Sequence, residues 1–129
     1  MATLVVATGR AIWTNRMRGS GTEPTFLGWG TGAGTEADGD TTLFTEKDTD
    51  LSAAGPNRTA GTSSQQTTTT TNDTYQVVAT RTATGAGTVT NAGLFDASSA
   101  GNLFLKGDFT GIGLSSGDGI QFTAKAKLA

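Results

Sequence analysis

Chemistry needs a poised acid, base or nucleophile, and the chain's 129 residues contain no histidine and no cysteine. The two commonest general-base and nucleophile side chains are therefore missing, and so are disulfides and thiolate metal sites. The serines fall mainly in the pairs Ser63-Ser64, Ser98-Ser99 and Ser115-Ser116, none of them in G-x-S-x-G. Carboxylate pairs of the glycosidase kind would have to come from Asp48 with Asp50, or from Glu36 with Asp38. Both pairs lie in a Gly- and Asp-rich stretch that reads more simply as a solvated loop.

The same stretch, residues 36–50, contains DGD at 38–40 and DTD at 48–50, which invite a calcium reading. The EF-hand order D-x-[DN]-x-[DN]-G is not there. GWGTGAGT, starting at Gly28, is Gly-rich without the Gly-Lys-Ser/Thr ending of a P-loop or the G-x-G-x-x-G spacing. Asn57-Arg58-Thr59 and Asn72-Asp73-Thr74 match the glycosylation sequon, a match expected by chance in a chain with 26 threonines. Trp13, Trp29 and Tyr75 offer a sugar-binding module its aromatics, though core packing accounts for them as well. No catalytic set, no cofactor and no metal site emerges.

The elements that would position such residues follow from composition. Apolar residues make up 35% of the chain and charged ones 16%, so Thr and Gly dominate the remainder. Threonine suits the pleated, half-buried surface of a sheet, and low charge argues against charge-driven disorder. A net charge of −2 argues against a broad grip on nucleic acid. No run approaches the 18 or so apolar residues of a membrane span, and MATLVVATGRAIW does not read as a secretory signal. So little apolar mass also hints at burial in an oligomer.

Leu4 to Arg18 is the only plausible helix, with Thr8 as cap and Gly19 as stop, while LVV at 4–6 reads equally as a short strand. Residues 1–21 are set apart as an N-terminal arm, and residues 22–129 as one β-domain. Phe26, Leu27 and Trp29 after Pro24 suggest an edge strand, and the middle third suggests irregular chain. SSQQTTTTTNDTYQVV, residues 63–78, lacks the prolines of a mucin-like linker and reads as one long strand bent near Asn72. Strands over 88–96 and 103–109 follow, and then a last one in which Ile120, Phe122, Ala124, Ala126 and Leu128 alternate with polar residues. Turns every ten or so residues predict an all-β fold, a single antiparallel β-sandwich or barrel of jelly-roll-like kind.

Charge is unevenly placed. Arg10, Arg16 and Arg18 precede the acids Glu36, Asp38, Asp40, Glu46, Asp48 and Asp50. Either both segments are solvated, or the basic one meets an acidic surface on a neighbouring subunit.

TNRMRGSGTEPTFLGWGTGAG (14–34), GTSSQQTTTTTNDTYQV (61–77) and TVTNAGLFDASSAGNLFLKGDFTGIGLSSGDGIQFTAKAKL (88–128) together resemble small structural proteins of tailed bacteriophages. The resemblance spans most of the chain except the acidic stretch around 35–60. It implies a capsid decoration (cement) protein on the outer surface of the virion, assembled in the host cytoplasm. Such a protein is typically a homotrimer that clamps the major capsid protein lattice, with no membrane or nucleic-acid partner. A tail-tip or tail-fibre role and a carbohydrate-binding module are the alternatives. On this reading Arg10, Ile12, Trp13, Arg16, Met17 and Arg18 form the capsid interface, and Thr67, Thr69, Thr71 and Tyr75 the contact between subunits.

Overall fold

The structure is a computed structural model that describes residues 2–128. Its elements in chain order are β1 (Ala2–Val5), α1 (Ala7–Met17), β2 (Phe26–Gly30), β3 (Glu46–Lys47), β4 (Thr59–Ala60), β5 (Thr62–Gln66), β6 (Thr74–Thr82), β7 (Gly87–Phe95), β8 (Leu103–Leu114) and β9 (Gly119–Lys127). The fold is all-β, two packed antiparallel sheets with one short helix. Among the described residues no helix is long and apolar enough to cross a membrane.

Alternation sets the strands of the second half. In β9 the side chains of Gln121, Thr123 and Lys125 are exposed, while Ile120, Phe122, Ala124 and Ala126 turn inward. Leu128, expected to extend that inward row, lies beyond the strand and is exposed. β7 is buried on both faces from Asn91 to Phe95, because both faces of its sheet are covered.

One sheet has the order β1-β8-β7-β2-β3, with β4 also on β2; the other has the order β5-β6-β9. β4 and β5 are separated only by Gly61, so one bent strand passes from the first sheet to the second. A Cβ at Gly61 would sit 2.5 Å from Val77 Cγ1, and its amide donates to Thr25 O at 2.8 Å. The sheets are thus joined on the β4/β5 side and unjoined between β9 and the edge made by β1 and the rest of β8, an open barrel. Leu27, Leu94 and Leu105 are successive cross-strand partners. They pack against Val77, Ala79 and Ala126 of the second sheet. Farther along, Trp29, Val89 and Leu114 meet Ala83, Ile120 and Phe122. β2, expected at an edge, is interior, because β3 and β4 cover the side away from β7.

The irregular middle third folds back across the outer face of the first sheet, where β2 and β7 carry glycines. Gly28 and Gly93 are direct partners. A Cβ at Gly93 would meet Leu105 O at 2.6 Å and Leu43 Cδ2 at 2.9 Å. Leu43 is buried there with Val6, Phe95 and Leu103. The fully buried Asn91 acts as a side-chain stand-in for a strand. Its Oδ1 accepts from Phe44 N and its Nδ2 donates to Phe44 O, each at 3.0 Å.

Three buried cations fasten the rest of this segment. Lys106 donates to Asp40 at 3.0 Å and to Thr42 O at 2.8 Å, with its ammonium 3.3 Å from the Phe44 ring centre. Arg81 lies over Trp29 and donates to Asn57 O and Thr59 Oγ1. Burial pushes its guanidinium below the usual arginine range. Arg58 lies on Phe95 and pairs with Glu46.

Residues 2–17, most of the arm expected over 1–21, are built into the body. β1 pairs with β8 from Ala2↔Asp108 to Val5↔Leu105. The strand and helix readings of this segment both hold, in succession. Thr8 does not cap α1; its hydroxyl donates to Leu103 O at 2.7 Å. The first turn instead donates from Ala7 N to Asp38 O at 2.8 Å, and Gly19, at φ +80, ends the helix as expected. Gly9 rests directly on the Phe104 carbonyl of β8. The segment's apolar residues Val6 and Ile12 are spent on the protein's own core.

Candidate partner-binding surface

α1 and the β5–β6 hairpin come together over Phe104 of β8. Trp13 meets that ring edge-on at 6.2 Å between centroids, and Tyr75 does so at 5.9 Å from the other side. One expected interface residue from α1, Trp13, and one from the threonine-rich stretch, Tyr75, therefore meet at one place. A hollow of about 360 Å³ lies between them, lined by Ile12, Trp13, Met17, Pro24, Tyr75 and Phe104. An adjoining hollow of about 320 Å³ continues past Trp13 and Tyr75 toward Ser64, Asp73 and Leu128.

The six expected residues of α1 and its end divide by geometry. Met17 is 81% exposed, the most accessible large apolar side chain among the described residues. Arg16 and Arg18 are exposed and donate only to Gly21 O and Asn15 Oδ1, with no acidic partner among the described residues. Trp13 is half-buried. Ile12 is buried and contributes only to the floor of the hollow. Arg10 is committed within the chain, forming a two-pronged pair with Asp38 at 2.6 and 2.9 Å. The basic segment thus meets an acid of its own chain through Arg10.

Tyr75 donates its hydroxyl to Glu23 Oε1 at 3.1 Å. Burial first, then the neighbouring Glu23 carboxylate, raises the phenol well above its ordinary range, so it stays a neutral donor. The threonine run is not a strand. β5 ends at Gln66, and residues 67–73 form a hairpin loop. The Asp73 carboxylate accepts the amides of Thr68, Thr69 and Thr70 at 2.8, 3.0 and 2.9 Å, and the Thr74 hydroxyl at 2.8 Å. Asn72, at φ 62, makes the reversal. Thr67, Thr69 and Thr71 are exposed on this loop and line neither hollow.

Those amides, Thr70 first, hold the Asp73 carboxyl far below the carboxylate range. A depressed folded pKa gives stability that is fully present above the unfolded value, about 3.9, and is lost as pH falls from there through the much lower folded value. Thermal unfolding of the wild type and of Asp73→Asn should therefore differ most near neutral pH, and the difference should shrink steadily as pH is lowered below about 4. The variant should also lose hydrogen-exchange protection at Thr68–Thr70.

The acids of 36–50 that invited a cation are mostly engaged singly. Asp38 holds Arg10, Asp40 holds Ala37 N and Lys106, and Glu46 holds Arg58. Asp48 accepts from Thr49 N and Asn57, and Asp50 from Ser52. Among the described residues no group of three acids converges to hold a metal ion.

Phe104, Pro24, Glu23 and Leu128 belong to this surface; the sequence offers Pro24 and Leu128 only as strand markers and gives no sign of Phe104 or Glu23 as interface residues. Nothing in the local pattern around them marks an interface, since the surface exists only once β8 lies between α1 and β6. The arrangement can bury apolar side chains against three aromatic rings and face acidic groups with two arginines. Compared with known proteins, the chain matches no family model, no curated protein and no solved structure.

Proposed function

We propose that the chain is a non-enzymatic structural protein of a tailed-bacteriophage virion. It acts as a decoration (cement) protein that binds the major capsid protein lattice on the outside of the head and stabilises it, as a homotrimer. The motif resemblance of residues 14–34, 61–77 and 88–128 supports this reading. The observation that carries it is the surface of Met17, Arg16 and Arg18 beside the Trp13–Tyr75 hollow. An exposed apolar side chain flanked by arginines and aromatics is the composition of an interface hot spot.

Binding of the purified chain to undecorated heads tests it. Met17→Asp should weaken decoration at least about tenfold, because it places a charge where an apolar contact is desolvated. Its melting temperature should be unchanged, since Met17 packs on little of its own fold. Hundreds of copies per virion are expected. A handful of copies would move the protein to the tail.

A carbohydrate-binding role at a tail tip or tail fibre is the second reading. Trp13 and Tyr75 flanking hollows that also carry Glu23 and Asp73 favour it, as stacking rings beside carboxylates suit a sugar. A glycan array with the purified chain decides between the two.

A further inference from the structure

β9 closes one end of its sheet, and its outer edge carries a full set of unpaired backbone groups. Leu128 N donates to Asp73 O and Ala83 N donates to Asp118 O, bracketing the β6–β9 ladder. By the alternation of an antiparallel ladder, Ile120, Phe122, Ala124 and Ala126 then bond to β6. The N–H and C=O groups of Gly119, Gln121, Thr123, Lys125 and Lys127 point the other way. No hydrogen bond satisfies them among the described residues.

Natural edges are guarded by shortness, charged side chains (lysine above all), proline, bulges or a covering element, and of these β9 has only Lys125 and Lys127. β9 runs nine residues in unbroken register, with no proline. Beside it, where the barrel is open, lies a mouth of about 260 Å³ floored by Leu27 and Leu105. Phe109 and Phe122 stand across it with ring centroids 6.3 Å apart. On the outer face of the same strand, Lys125 and Lys127 have no acidic partner among the described residues.

We propose that this edge accepts an extended strand from a different chain, apolar on its inward face and acidic on its outward face. The unpaired backbone groups specify an extended backbone, as in β-augmentation. Side chains opposite Phe122 and Ala124 enter the apolar mouth, and those opposite Lys125 and Lys127 face ammonium groups. The lysines also argue against a second copy as the occupant. β9 contains no acid. Antiparallel self-pairing about Thr123, which sets Lys125 against Gln121 and Lys127 against Gly119, would leave both ammonium groups without a carboxylate, whereas an acidic strand would pair them. The site is separate from the α1 surface, so it stands or falls without the decoration reading.

The probe is a synthetic heptapeptide, Glu-Val-Glu-Val-Glu-Val-Glu, titrated into the full chain and followed by amide NMR. The amides of Gln121, Thr123 and Lys125 should shift strongly, and those of Phe122 and Ala124 weakly. Thr123→Pro removes one outward N–H and no bond to β6. It should cut peptide affinity at least about tenfold while the rest of the spectrum is kept. Replacing the peptide's glutamates by lysines should also weaken binding roughly tenfold, and the double variant Lys125→Glu, Lys127→Glu should reverse that preference. The double variant leaves the strand backbone intact and decides the matter if the proline variant does not fold. Absent shifts, shifts centred elsewhere, or indifference to peptide charge would overturn the proposal. So would a self-association of the chain alone that Thr123→Pro dissolves, which would make a second copy the occupant.

Discussion

Arg58→Ala is expected to lower folding stability by about 3–5 kcal/mol, the cost of leaving a buried partner charge uncompensated. The Arg58 side chain is 4% exposed and that of Glu46 14%, so water cannot replace the lost partner. Arg58 meets both Glu46 oxygens, at 2.8 and 2.9 Å, and donates to Ala97 O and Ala100 O at 3.0 and 2.6 Å. Its guanidinium carbon stands 3.3 Å from the Phe95 ring centre. Removing it strands a carboxylate and two carbonyls and detaches three segments at once. A loss of this size is a large part of the roughly 5–15 kcal/mol that holds an ordinary domain. Arg58→Lys should recover little, because an ammonium has neither the planar fork nor the stacking face. Replacing Arg58 and Glu46 together by apolar residues of similar volume should recover most of the loss. Urea unfolding of the three variants against the wild type measures each step.

Gly9→Ala is expected to reverse the usual sign for a glycine in a helix interior. Alanine there is ordinarily better by about 1 kcal/mol. Here the new Cβ would collide with the Phe104 carbonyl, a backbone group that cannot rotate aside. α1 would have to lift off β8, at a cost of about 1–3 kcal/mol typical of overpacking. Ile12 and the Trp13–Phe104 contact would be disturbed with it. Thermal unfolding should show a lower midpoint, and Trp13 fluorescence should report a wetter indole. The signal is readable because Trp29, the other tryptophan, is fully buried. A stabilised variant would mean that the helix does not dock through Gly9.

The strands most legible in the sequence were those with one wet face, β9 above all, where Gln121, Thr123 and Lys125 mark the outside. The threonine run misled because Thr favours strands, while the decisive group is a single carboxylate six residues along from Thr67. Asp73 gathers three amides only after the chain has already turned at Asn72. Leu4 to Arg18 was read as strand or helix when it is one after the other, with fully buried Val6 at the junction. The buried cations were illegible for a different reason. Arg58, Arg81 and Lys106 look like surface residues until carbonyls and rings from elsewhere in the chain close over them. The candidate surface was half legible. Trp13 and Tyr75 were each singled out, yet only the third ring, Phe104, brings them into one place.

The pairing of β1 with β8 has a consequence for how the chain reaches this state. Residue 2 finds its partner at residue 108, so β1, synthesised about a hundred residues before β8, must wait for it. α1 waits with it, since Phe104 is the floor on which Gly9 rests. Contacts of such wide sequence separation raise contact order and slow folding. During that interval Leu4, Val5, Val6 and Ile12 remain uncovered, a nascent segment open to chaperones and to wrong partners.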